Sequence, residues 1–419
     1  MNRKQLTILL VALVVLGGAG LLLRKNQSAS WSGSNPAMGK KLLGEFPVND
    51  VTQVTIKQGT NELNLAKKDD LWRVKEREDY PANYSEISEF LMKMRDLKVV
   101  QSEEIGPSQL ARVSLVPGEG TNSAMVVDFK DQNGKPIRTL LLGKKHMRKA
   151  SRPSPMGDLG DEGWPDGRYV KVGNASQVAV ISDALSNVEP KPEPWLNKDF
   201  FKVEKIKSIS VSYANATNSW KLSRETEAGE WKLADAKPGE QLDASKTSSF
   251  NSALGSPTFS DISSKMDLVG ANPTQVAVET FENFNYALKV GAKTNDNYPL
   301  IVSVTADVAK ERTPGKDEKP EDKEKLDKEF KEKTGKLVEK LAQEQAFGKW
   351  VYLVSSWTLD SVLKERSQLL VDKKDEKKDA AAKDAKAAGI KLDPTTSIPT
   401  PDDADKDDAA DPTAAPVEK

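Results

Sequence analysis

The sequence predicts an α+β protein: two duplicated mixed α/β domains built on antiparallel strands and hairpins, after one N-terminal transmembrane helix. Three observations carry this. Residues 6–23, LTILLVALVVLGGAGLLL, form a single uncharged apolar run. The chain beyond it shows short stretches of alternating apolar residues separated by turn residues, the mark of half-buried strands. The order of those stretches then repeats.

The run from Leu6 to Leu23 is long enough to satisfy every backbone polar group internally, as a bilayer demands. At ~1.5 Å per residue it covers about 27 Å. Arg3 and Lys4 precede it and Arg24 and Lys25 follow it, with the α-amino group on the short flank. That favours an amino terminus in the cytoplasm and the bulk of the chain outside the cytoplasmic (inner) membrane, periplasmic or extracytoplasmic, in a single pass. A cleaved signal peptide is the rival, with Gly17–Gly20 and Ser28–Ser30 as imperfect cleavage sites, but the apolar core is long for one. Residues 1–25 are therefore expected to be an uncleaved anchor, and the Ser/Asn/Gly/Lys-rich residues 26–45 a juxtamembrane linker.

A first repeat is expected over 46–188 and a second over 201–371. Phe46, Val48, Val51, Val54 and Ile56 return as Phe201, Val203, Ile206, Ile209 and Val211. Leu63 and Leu65 are answered by Trp220 and Leu222, and Trp72-Arg73-Val74 by Trp231-Lys232-Leu233. Helix signals follow, Ile87, Phe90, Leu91, Met94 and Leu97 first, Phe250 and Leu254 later, with Ser85 and Asp243 as N-caps. Leu115-Val116 pairs with Leu268-Val269. The hairpin 125–129/137–142, turning at Asn133-Gly134, pairs with 276–281/286–290. Both hairpins end on glycine, at Leu142-Gly143 and Val290-Gly291. Closing strands are expected at 167–172 and 348–353, and short helices at 182–188 and 359–366. The alternating prolines of Glu189–Pro194 place a stiff linker over 189–200.

Two segments break the pattern. The charged insertion 309–347 carries Leu326, Phe330, Leu337 and Leu341 along one helical stripe, with Lys and Glu elsewhere. Such a helix either packs this stripe on its own domain or projects it toward a partner, so the four residues are the candidate interface. Residues 372–419, of Asp, Lys, Ala, Pro and Thr, cannot bury enough surface to order and are expected to be a disordered tail.

Composition narrows function. Sixty-two basic and 63 acidic residues leave a net charge of −1, which gives no global attraction to nucleic acid. With no cysteine, thiol catalysis, disulfides and thiolate metal sites are excluded. His146 is the single histidine, lying in a basic loop with Lys144, Lys145, Arg148, Lys149 and Arg152, so histidine-based zinc sites are excluded too. No nucleophile elbow, phosphate loop or dinucleotide fingerprint is present. The acidic loop 157–167 lacks the spacing of a helical calcium loop. No catalytic, cofactor-binding or metal-binding residue is assigned and no cofactor is expected; the chain does not read as an enzyme. Trp72, Trp231 and Trp350 fit core positions better than a sugar-stacking platform.

The alternation Val51-Thr52-Gln53-Val54-Thr55-Ile56 into Trp72-x-Val74, the Pro81-Ala82-Asn83 approach to a helix ending Leu97-Lys98-Val99-Val100, and the closing Tyr169-Val170-Lys171-Val172 strand resemble the DUF4340 family. That resemblance implies a membrane-anchored, non-catalytic extracytoplasmic module of bacterial envelopes, often encoded beside ABC transporters of the gliding-motility type. The expected function is thus an accessory or scaffold protein. Its expected partners are the membrane and, by this resemblance, ABC permease and ATPase subunits. A cell-wall or surface polysaccharide-binding module is the alternative.

Overall fold

The computed structural model describes residues 38–120, 122–148, 164–315 and 318–371. The expected anchor from Leu6 to Leu23, most of the acidic loop and the tail from 372 lie outside the described residues. No helix among the described residues is long and apolar enough to cross a membrane.

Alternating apolar residues build the first sheet from β1 (Gln53–Gln58), β2 (Asn61–Lys68), β3 (Leu71–Val74), β4 (Tyr80–Pro81), β5 (Val99–Glu104), β6 (Met125–Lys130), β7 (Pro136–Arg148), β8 (Trp164–Val172) and β9 (Gln177–Ile181). The strand order is β4-β3-β2-β1-β6-β7-β8-β9-β5. Helix α1 (Tyr84–Asp96) joins β4 to β5 and buries Ile87, Phe90, Leu91 and Met94. Its N-cap is Asn83, two residues before the expected Ser85, because the Asn83 carboxamide oxygen accepts from the backbone of Ser85 and Glu86.

The second sheet comprises β10 (Ile206–Ser212), β11 (Trp220–Ser223), β12 (Lys232–Leu233), β13 (Phe259–Ser263), β14 (Thr274–Thr280), β15 (Phe284–Val290), β16 (Asn297–Ala306) and β17 (Val351–Ser355). Its order, β12-β11-β10-β14-β15-β16-β17-β13, matches the first strand for strand once β4 is set aside. All pairings in both sheets are antiparallel. The counterpart of α1 is only α2 (Ala244–Thr247), continued by the 3-10 turn Ser248–Asn251. Asp243 caps it as expected, but Ser and Thr compete for backbone partners and shorten the helix.

Three expectations are corrected. Residues 351–355 are the counterpart of β9, not of β8; β8 corresponds to β16, which alternates buried Leu300, Val302 and Val304. The insertions therefore fall at different places, after β7 in the first half and after β16 in the second. No helix forms at 182–188, where the Asp183 carboxylate accepts from the Leu185 backbone and Leu185 turns to φ +46°.

The expected linker is part of the body. Ala82 bridges to Leu196, the Asn83 backbone donates to the Trp195 carbonyl at 2.8 Å, and Trp195 is buried edge-on against Phe90. Across the join, Tyr80 meets Phe259, Trp350 and Tyr352 edge-on. Arg77 grips Asp261 with both carboxylate oxygens at 2.7 Å and reaches Glu193 at 3.0 Å. One continuous apolar cluster runs from Val54 and Phe129 to Tyr352 and Leu369.

Candidate functional site

The charged insertion forms α3 (Pro320–Gln345), a single helix of 26 residues, about 39 Å long. It packs on β16 with its carboxyl-terminal half. Leu337 and Leu341 are half-buried against the core cluster. Leu326 is 36% exposed, and Phe330 is half-exposed and outside that cluster. The four stripe residues thus divide into two that seat the helix and two that do not.

Residues 321–329 are all exposed. This first part of the helix is tied instead by Arg312, which pairs with Glu318 and reaches Asp327 at 2.7 Å. Those carboxylates raise the pKa of the Arg312 guanidinium, so its side of the tie stays charged at any accessible pH.

The deepest residue of the helix is Glu344, which continues the stripe one step past Leu341 and is 5% exposed. Its carboxylate accepts from the Lys202 backbone at 2.9 Å and from the Tyr286 hydroxyl at 2.8 Å. Burial raises its pKa above 4.5, more than these bonds lower it. A raised carboxyl pKa means that the folded state holds the proton more tightly than the unfolded one. The corresponding stability is fully present below pH 4.5 and is lost as pH rises through the folded value. Glu344→Gln keeps an acceptor without the charge. Its urea midpoint relative to wild type is expected to rise between pH 4 and pH 7, ending about 1 kcal/mol above it. A variant-minus-wild-type difference that is flat with pH would reject this.

The chemistry-bearing residues do not assemble into a catalytic constellation. His146 lies in β7 rather than a loop; bulges between Leu142 and Lys145 and between His146 and Met147 hide the strand from simple alternation. Its Nδ1 is 2.6 Å from Asp166 Oδ1 on β8, and its ring lies 6.0 Å from that of Tyr169. No hydroxyl is bonded to the histidine among the described residues. No group of three or more metal-ligating side chains occurs among them either. Asp166 is the described carboxylate of the acidic loop; Asp158, Asp161 and Glu162 lie outside the described residues.

Trp72 and Trp231 are 6% and 9% exposed, and Trp350 packs edge-on at 5.3 Å against Tyr80. Trp72 and Trp231 thus present no open face to a sugar, and Trp350 is half-buried. Among the described residues the largest exposed aromatics are Trp164, Tyr84 and Trp357, on separate elements.

Among known families, residues 158–283 match the model described as Domain of unknown function (DUF4340), and the family assignment holds over that stretch. The match runs through β8 and β9, across the join, and through β10 to β14, rather than following either half. No curated protein and no solved structure matches the chain.

Proposed function

We propose that this DUF4340-matching chain acts by contact, as a non-catalytic accessory or scaffold protein. In this reading the 6–23 run holds it at the cytoplasmic membrane with its sheets on the extracytoplasmic side, beside an ABC-type permease and ATPase. The observation that supports contact as the mode of action is the exposed beginning of α3. Nine consecutive helical residues, 321–329, are all exposed and bury no apolar surface on their own domain, although the Arg312–Asp327 pair ties them and the carboxyl-terminal end is seated. A helix held rigid but uncovered is pre-organised for docking, which cuts the ordering cost of association. A membrane anchor would add effective concentration without demanding a tight intrinsic interface.

The test is recovery from native membranes in mild detergent through a tag after Lys419. Wild-type protein is expected to bring down a permease and its ATPase in stoichiometric amounts. Leu326→Lys with Phe330→Lys should reduce that recovery about tenfold while shifting the urea midpoint by less than ~0.5 kcal/mol, as surface changes do. Leu337 and Leu341 are unsuited to this purpose, because charge there would unseat the helix. Recovery of the protein alone, or with wall polysaccharide, would sink the proposal.

A further inference from the structure

Three arginines of the described chain are nearly buried, and two of them have more partners than the third. Arg366, 4% exposed, is clamped by Glu240 and Asp235. Arg224, 7% exposed, bonds two carbonyls and the Asn251 side chain and lies 4.7 Å over the Trp231 ring. Arg168, 6% exposed, differs. Its Nε donates to the Gly143 carbonyl at 2.9 Å and its Nη1 to the Leu185 carbonyl at 3.2 Å. A guanidinium has five N–H groups, so three are left without a partner among the described residues, and no carboxylate there pairs with it. Burial alone pushes its pKa down, with no acid to offset the loss of water.

Arg168 lines a cavity of about 360 Å³. Its walls also hold Lys145 and Lys191, both exposed, together with Gln58, Asn61 and Ser186. The one acid among the described residues of the wall is Glu189, already 2.6 Å from Lys191. Three cations against one carboxylate leave two positive charges in excess.

The second sheet does not repeat this. Leu142 pairs with Val170 as Val290 pairs with Leu300, so the position of Arg168 falls on Tyr298. The Tyr298 hydroxyl donates to Asp360 at 2.7 Å, a neutral group with its own acceptor. A buried cation lacking an anion is expensive to keep, and at this strand position only the first half keeps one.

We propose that this cavity binds a phosphate group, held by Arg168 from within and by Lys145 and Lys191 from the rim. A phosphate monoester carries about −1.5 to −2 at neutral pH, which matches the surplus. Its oxygens suit the free edge of a guanidinium fork better than a monovalent halide would. The ligand is either a free phosphate monoester or the headgroup of an anionic lipid, and the assignment of the cavity is independent of the scaffold reading.

The test is calorimetric titration of the full-length chain in a maltoside detergent with inorganic phosphate at constant ionic strength. Saturable one-to-one binding is expected. Lys145→Gln with Lys191→Gln should weaken it about tenfold, roughly 1.4 kcal/mol, with an unchanged urea midpoint. Arg168→Gln should abolish it; should that variant not fold, the lysine pair decides. Dihexanoyl phosphatidic acid below its micellar concentration separates the sources. Affinity about tenfold above that of phosphate assigns a lipid headgroup, and equal affinity assigns a free monoester. Absence of saturable heat, or undiminished binding in the lysine variant, would overturn the site.

Discussion

Tyr352→Ala is expected to cost the protein about 4 kcal/mol, in the range of large-to-small changes at buried aromatics, and to do so for both sheets at once. Tyr352 has no exposed surface and sits on β17 of the second sheet. Its ring centroid lies 4.5 Å from Phe200, 5.0 Å from Phe259, 6.1 Å from Phe347 and 6.4 Å from Tyr80, the last belonging to the first sheet. Each aromatic pair adds roughly 0.5–1.5 kcal/mol to the apolar area it buries, and truncation leaves a cavity that rigid sheets on both sides cannot close. The apolar cluster is continuous across the join, and the Arg77–Asp261 pair spans it. Urea unfolding followed by tryptophan fluorescence should therefore show one transition, reported alike by Trp72 and Trp195 on one side and Trp220 and Trp231 on the other. In Tyr352→Ala that single transition moves to lower urea with its slope kept. Tyr352→Phe, which retains the ring contacts, should stay within about 1 kcal/mol of wild type. Two separate transitions, with only the later one displaced, would make the sheets independent units that merely touch.

The sequence announced what period and turn chemistry determine locally. Asn133-Gly134 marks a hairpin because the turn needs a residue at φ +74°, and Gly134 supplies it. The stripe Ile87, Phe90, Leu91 and Met94 reads as a buried helix face because 3.6-residue spacing leaves few alternatives. Legibility failed where tertiary structure overrides local pattern. β16 and β17 are both short apolar strands, and only the sheet decides which of them is the counterpart of β8. The strand character of His146 is masked by two bulges. Among candidate site residues, Leu337 and Leu341 could be placed on one face with Leu326 and Phe330, but spacing does not say how far the sheet extends beneath a helix. Glu344 and Arg168 carry no local mark at all. Each is one charged residue among 125, and only burial without full compensation distinguishes it.

The glycines that close both hairpins are expected to tolerate no side chain. At Gly143 a Cβ would fall 2.3 Å from the Val113 carbonyl oxygen and 2.9 Å from Leu115 Cγ. At Gly291 it would fall 2.8 Å from Pro299 Cγ and 2.9 Å from the Val269 carbonyl oxygen. Val113 and Val269 each end the 3-10 turn that precedes the hairpin, Pro107–Val113 and Met266–Val269. Both halves thus lay the last carbonyl of the same turn directly on the same glycine. The constraint is space rather than backbone conformation, since neither residue has a positive φ. Alanine must therefore displace backbone, which costs more than moving a flexible side chain. The tighter approach at Gly143, with Leu115 locked in a small apolar cluster beside Ala124, Leu141 and Val178, makes it the more sensitive site. Gly143→Ala should lose about 3 kcal/mol and Gly291→Ala about 2 kcal/mol, read from urea midpoints. Hydrogen exchange should accelerate first at the Leu115 and Ala124 amides, which bond to Leu110 and Val116 carbonyls across the displaced turn. If both variants prove neutral, the close passage is not a constraint on the fold. If Gly291→Ala proves the more damaging, the ranking by backbone approach is wrong, and the rigid Pro299 ring sets the limit instead.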